Sequence, residues 1–266
     1  GKLMEKAIIY QIFTRLFGNT NTTRKHNGTL TDNGCGKLNA FTPAVLRRIK
    51  ELGATHVWYT GVIRHATTTD YTRYGIPRQH PAVVKGNAGS PYAITDYYDI
   101  DPDLATNVEK RMNEFESLVK RTHKAGLKMI IDFVPNHVAR QYKSTAKPKG
   151  IADFGENDNT GMQFSPQNNF YYCPEQSFAA DIDLYHGEEL PYEEFPAKAT
   201  GNDCFGNRPG RNDWYETVKL NYGVDYCDAG GVSTHFSPTP DTWKKMLDIL
   251  LFWAGKGVDA FRCDMA

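Results

Sequence analysis

Apolar residues along this chain fall into two kinds of run: short β-branched blocks and longer stretches with helical spacing. Ala7-Ile8-Ile9-Tyr10-Gln11-Ile12-Phe13 reads as a buried strand. A polar loop rich in Gly and Asn follows to about Phe41. Thr42-Pro43 then supplies an N-cap and a proline at the first helical position. Val45, Leu46, Ile49 and Leu52 set the apolar stripe of that helix, which stops at Gly53. Thr55-His56-Val57-Trp58-Tyr59 is the second strand. Residues 60–104 mix polar and turn residues over a length that suits a functional loop better than a connector. A second helix is predicted from about Asn107 to Ala125, with Val108, Met112, Phe115, Leu118 and Val119 facing the core and Gly126 at its end. Lys110, Arg111, Lys120 and Arg121 read as its solvated face. The third strand is Leu127-Lys128-Met129-Ile130-Ile131-Asp132-Phe133.

Periodicity is then lost from Val138 to about Pro238, where Gly, Pro, Asn, Asp and aromatic residues alternate. Phe164, Phe170, Tyr171, Tyr172, Phe178, Trp214 and Tyr222 give this stretch something to bury, so it reads as an inserted, irregular subdomain and not as disorder. Thr239-Pro240 repeats the cap-plus-proline signal. Trp243, Met246, Leu247, Leu250, Leu251 and Ala254 follow at helical spacing to near Gly255. A short apolar strand closes the series and ends in Arg262-Cys263-Asp264. The order β-α-β-α-β-insert-α-β implies parallel strands with right-handed crossovers. Two architectures have that pattern, an open doubly wound sheet and a (β/α)8 barrel. No GxGxxG or GxxxxGK[ST] follows any strand, which disfavours nucleotide-binding versions. In a barrel, chemistry gathers at the C-terminal ends of strands, where the polar clusters of this chain lie.

Composition changes this picture mainly by exclusion. The formal net charge is zero, which gives no electrostatic case for nucleic acid or an anionic membrane. No apolar run approaches the ~20 residues of a membrane span. The five cysteines (Cys35, Cys173, Cys204, Cys227 and Cys263) are scattered and lack CxxC spacing, so neither thiolate metal ligation nor a disulfide framework is indicated. Such cysteines permit a cytoplasmic location, whereas a polymeric substrate would favour an extracytoplasmic one. Many Tyr and Trp residues in polar loops suit a sugar-binding surface, although aromatic residues more often mean core.

Arg262 and Asp264 lie two apart and therefore share a strand face. Taken alone, the pair could be a strand-end ion bridge or a catalytic carboxylate with its guanidinium partner. Four stretches bear on the choice. Asp132-Phe133-Val134-Pro135-Asn136-His137 resembles the first signature region of the α-amylase superfamily (glycoside hydrolase family thirteen), and Phe261-Arg262-Cys263-Asp264 resembles the second. The run from Tyr92 through Asp96-Tyr97-Tyr98 to Ile100-Asp101-Pro102 is similar to the segment between that family's second and third strands. Ile9-Tyr10-Gln11-Ile12-Phe13 is similar to its first strand.

The resemblance implies the first four units of a (β/α)8 barrel: residues 1–137 as its first part, 138–238 as an inserted B-type subdomain, and 239–266 continuing through helix three and strand four. It further implies a retaining glycoside hydrolase acting on α-glucans such as starch and maltodextrin. Asp264 would be the nucleophile, kept ionised and oriented by Arg262. His137 would donate to a hydroxyl of the sugar at the cleavage point, Tyr92 would stack on that sugar, and Asp132 would be an internal hydrogen-bond partner, with Arg262 as its candidate donor. Asn136 corresponds to a position that ligates Ca2+ through its side-chain oxygen in many members. No organic cofactor is implied. Two other readings share the scaffold: a transglycosylase or isomerase that passes the glycosyl group to a sugar hydroxyl, and a non-catalytic sugar-binding barrel. The intact Arg262, Asp264 and His137 weigh against the last.

The chain also departs from the family pattern. Many α-amylases carry His two residues before the stacking Tyr, and here that residue is Ser90. Many exo-acting α-glucosidases carry Asp three before it, and here that is Gly89. Linkage, chain-length preference and endo or exo action are therefore left open. The family's general-acid Glu follows a fifth strand, whereas four barrel strands are read here. These 266 residues by themselves are accordingly expected to be a partial, inactive catalytic domain.

Overall fold

The computed structural model describes residues 6–19, 21, 23–24, 34–86, 88–184 and 190–263, and the chain divides into two compact units. The first comprises residues 1–64, 99–133 and 251–264, and the second residues 65–98, 134–250 and 265–266.

The first unit is built on β1 (Ile9–Phe13), β2 (His56–Thr60), β5 (Lys128–Phe133) and β12 (Ala260–Cys263). These four lie side by side in that order, and every neighbouring pair is parallel. Two helices cross between them, α1 (Pro43–Glu51) and α2 (Arg111–Lys124). Thr42 caps α1 as its sequence predicts: its hydroxyl accepts the Val45 N–H at 3.3 Å, and Pro43 takes the first helical position, where a missing N–H is harmless. Of the expected α1 stripe, Leu46 and Ile49 are buried while Leu52 is exposed. Phe115, Leu118 and Val119 of α2 fill the core with Phe41, Val57, Tyr59, Met129 and Ile131. Tyr59 stands edge-on to Phe41 and bonds the Thr122 hydroxyl at 2.9 Å, so its buried phenol is satisfied.

Three sequence expectations need correction. Residues 60–104 are not simply a loop. They contain β3 (Ile63–His65) and β4 (Ile94–Ile100), which pair with each other, and all seven residues of β4 are buried. Its acids are buried because each is paired: Asp99 holds Arg64 at 3.1 Å and both Nε and Nη2 of Arg111 at 2.8 and 2.9 Å, while Asp96 accepts from the Ser144 hydroxyl and from the backbone N–H groups of Tyr98, Thr145 and Ala146. Arg111 and Arg121 are likewise not a solvated face, since Arg121 ties to the carbonyls of Phe41 and Leu38. The third helix, α3 (Asp241–Gly255), buries Met246, Ile249 and Trp253 and leaves Trp243, Leu247 and Leu251 exposed. The helix is apolar on two faces, and spacing alone cannot rank them.

The second unit contains short antiparallel pairs in place of a large sheet. β6 (His137–Ala139) pairs with β9 (Thr217–Lys219), β7 (Tyr172–Cys173) with β8 (Ala197–Lys198), and β10 (Val224–Asp225) with β11 (Ser233–Thr234). Strands of two or three residues leave no readable period. Of the aromatic residues expected to form a core, Phe170, Tyr171, Tyr172 and Phe178 are buried while Phe164, Trp214 and Tyr222 are half-buried, and Tyr192 joins the buried set. The five cysteines are free thiols. No helix among the described residues is long and apolar enough to cross a membrane.

Candidate active site

In the first unit the chemistry lies at the C-terminal ends of β5 and β12. Asp132 and Arg262 are partners in the parallel register of these strands. The Asp132 carboxylate is held from two sides: Oδ1 accepts the Trp58 indole N–H at 2.6 Å, and Oδ2 accepts the Gly61 backbone N–H at 2.6 Å. Gly61 can turn its amide toward the carboxylate because it sits at φ +69°, a conformation that costs glycine nothing. Trp58 has a second role, since the Arg262 guanidinium lies 5.7 Å from its ring centroid. One indole thus orients both the carboxylate and the guanidinium. Sequence reading missed Trp58 and Gly61; the available signal was a large aromatic near a strand's end with a glycine just beyond it. Asp264 lies outside the described residues.

In the second unit, His137 opens β6 and is buried. Its tautomer follows from its neighbour. The Asn136 amide NH2 donates to the Gly201 carbonyl at 3.0 Å, while its carbonyl oxygen faces the Lys219 ammonium at 3.5 Å. Both contacts set the amide the same way round, so the group 3.0 Å from His137 Nδ1 is an N–H. A neutral His137 therefore accepts at Nδ1 and carries its proton on Nε2, which becomes a hydrogen-bond donor. The imidazole packs against Trp214 with centroids 5.3 Å apart. Tyr92 lies just before β4 with its ring about half exposed, and its backbone N–H donates to Ser90 Oγ at 3.2 Å. The structure thus places Asp132 and Arg262 at paired register positions and joins Asn136 with His137, and Tyr92 is about half exposed.

The surroundings of Asn136 do not fit calcium. The buried Lys219 ammonium points at the oxygen a dication would use, forms an ion pair with Asp203 at 2.6 Å and lies 5.3 Å from the Tyr226 ring centroid. A dication at that oxygen would have to displace the Lys219 ammonium and break its ion pair with Asp203. The side chain serves instead to orient His137 and to anchor Lys219. Chelation by EDTA is expected to leave the thermal midpoint unchanged. A fall that Ca2+ reverses, and that disappears in Asn136→Ala, would contradict this reading.

Residues 11–266 match the family model described as the alpha amylase catalytic domain. The chain belongs to the α-amylase family. It is 25% identical over 261 residues to a trehalose-6-phosphate hydrolase of Bacillus subtilis, a match covering 98% of this chain and 35% of that protein. A maltase of Drosophila melanogaster is 24% identical over 270 residues, with 98% of this chain and 35% of the relative covered. In fold the chain resembles the crystal structure of an α-amylase from Lactobacillus plantarum, with a TM-score of 0.50, 23% identity, and coverage of 98% of this chain and 38% of that one. The α-amylase-family chain thus spans about a third of the length of the curated relatives it matches.

Proposed function

We propose that this α-amylase-family protein is a retaining glycosidase acting on α-glucans through a covalent glycosyl-enzyme on Asp264. The observation that carries the reading is the register pairing of Arg262 with Asp132 at adjacent strand ends, with Trp58 in contact with both. By its spacing of two from Arg262, Asp264 would project from the same strand face, and a guanidinium there would favour the carboxylate form that a nucleophile needs. In the first step the Asp264 carboxylate attacks the anomeric carbon, the glycosidic C–O bond breaks, and a carboxylic acid protonates the departing oxygen. Water, deprotonated by the same group, then cleaves the ester and restores Asp264. His137, with its Nε2–H, would donate to a substrate hydroxyl, and Tyr92 would offer its exposed ring face to the sugar.

On this reading the four-stranded sheet is the first half of a (β/α)8 barrel, and residues 138–238 form its insert. The acid/base Glu would follow a fifth strand, so the 266 residues assayed alone are expected to show no turnover. The test is proton NMR of maltohexaose digestion by the natural full-length protein. Products released first as the α-anomer support a retaining mechanism, and β-anomer products overturn it. Oligosaccharides longer than the substrate would instead make the protein a transglycosylase.

A further inference from the structure

The second unit holds a cavity of about 560 Å3 that none of Tyr92, Asn136 and His137 lines. Its size falls within the range of small-molecule sites. Phe154, Phe170, Tyr172 and Phe195 form its apolar walls, and Asp153 and Glu193 stand among its polar groups.

Phe195 is the informative wall residue, because it is 68% exposed and yet rests on a rigid base. The preceding Glu194 carboxylate is buried and held by Arg140 at 2.7 Å, by the Lys198 N–H at 2.9 Å and by the Tyr192 hydroxyl at 2.8 Å. The Glu194 carbonyl also accepts the Phe178 N–H at 2.9 Å. Buried Tyr172, with its hydroxyl on Asp158 at 2.7 Å, gives an equally firm floor. A ligand would meet rings already in place and lose little freedom in ordering them.

The polar groups restrict its chemistry. Arg140 is consumed by Glu194, which leaves, among the described lining residues, the carboxylates of Asp153, Glu156 and Glu193 against the ammonium of Lys198, itself 5.2 Å from the Phe170 centroid. An anionic ligand, including a phosphorylated sugar, would be repelled. Carboxylates beside aromatic faces suit a ring that offers hydroxyl donors at its edge and C–H groups on its face.

We propose that this cavity is an accessory binding site for a neutral oligosaccharide, with Phe195 as its stacking platform and Glu193 as a hydroxyl acceptor. The choice of an α-glucan as ligand rests on the function proposed above, but the test reads binding and not turnover. Calorimetric titration of the full-length Asp264→Asn protein with maltohexaose is expected to show more than one bound ligand per chain. Phe195→Ala added to that protein should remove one of them or weaken it at least 10-fold, and Phe195→Trp should restore it. Unchanged stoichiometry and affinity in Phe195→Ala and in Glu193→Ala would overturn the proposal. So would glucose 6-phosphate competing as well as glucose does. The Phe195 ring is largely in solvent, so its removal should leave the thermal midpoint in place. Loss of the hydrolase reading through β-anomer products would not alter the binding stoichiometry measured in this way.

Discussion

Asp264→Asn in the natural full-length protein is expected to lower kcat for maltooligosaccharides by on the order of 10^4-fold or more, as removal of a covalent nucleophile does elsewhere. The amide is nearly the same size as the carboxylate but has no anionic oxygen to form the ester, so chemistry is lost while binding persists. KM should accordingly change far less than kcat. Asp264→Ala offers a second readout. Azide can occupy the vacated space and attack an activated α-glucosyl fluoride from the face the carboxylate used, so added azide should restore turnover and give the β-glucosyl azide. An ion pair with a purely structural role predicts neither rescue nor an inverted product. A loss below 10-fold, or no response to azide, would remove Asp264 from the nucleophile's role.

The second large effect is on stability. The Arg140 side chain is fully buried, lies 4.0 Å from the Phe178 ring centroid, and donates to Glu194, to Thr200 Oγ1 and to the carbonyls of Tyr215 and Lys198. It therefore ties together segments that carry almost no regular secondary structure. Arg140→Met would leave the Glu194 carboxylate buried without its cation, which costs about 3–5 kcal/mol. The thermal midpoint should fall by roughly 10 °C, at a few degrees per kcal/mol for a chain of this size. Adding Glu194→Gln to Arg140→Met should recover part of the loss, because the uncompensated charge is then gone. A drop below about 1 kcal/mol in Arg140→Met would show that the second unit is held elsewhere.

Where signals were local, the sequence was readable. Thr42-Pro43 sets the start of α1 through a hydrogen bond and a missing N–H that depend only on neighbouring residues. Gly126, at φ +81°, ends α2 for an equally local reason. The parallel order of β1, β2, β5 and β12 followed from alternation and chain handedness. Features that depend on distant partners were hidden. β4 reads as a polar loop because Asp99 is buried only by virtue of Arg64 and Arg111, which lie 35 and 12 residues away. The inward face of α3 was undecidable between two apolar stripes.

The site shows the same division. Asp132, Arg262 and His137 stand out by motif, yet the residues that orient them do not. Trp58 and Gly61 reach Asp132 across more than 70 residues of sequence. Lys219 meets Asn136 across 83, which turns a metal ligand by motif into the residue that sets the His137 tautomer.

The chemistry proposed for Asp264 turns on a covalent bond to substrate, and that bond can be trapped. The full-length protein should be incubated with 5-fluoro-α-glucosyl fluoride, which slows the second step more than the first, then digested with protease and its peptides mapped by mass spectrometry. One added fluoroglucosyl group is expected, on the peptide carrying Arg262-Cys263-Asp264 and on the Asp264 carboxylate itself. A label on any other residue, or steady turnover with no label at all, would contradict a glycosyl-enzyme at Asp264.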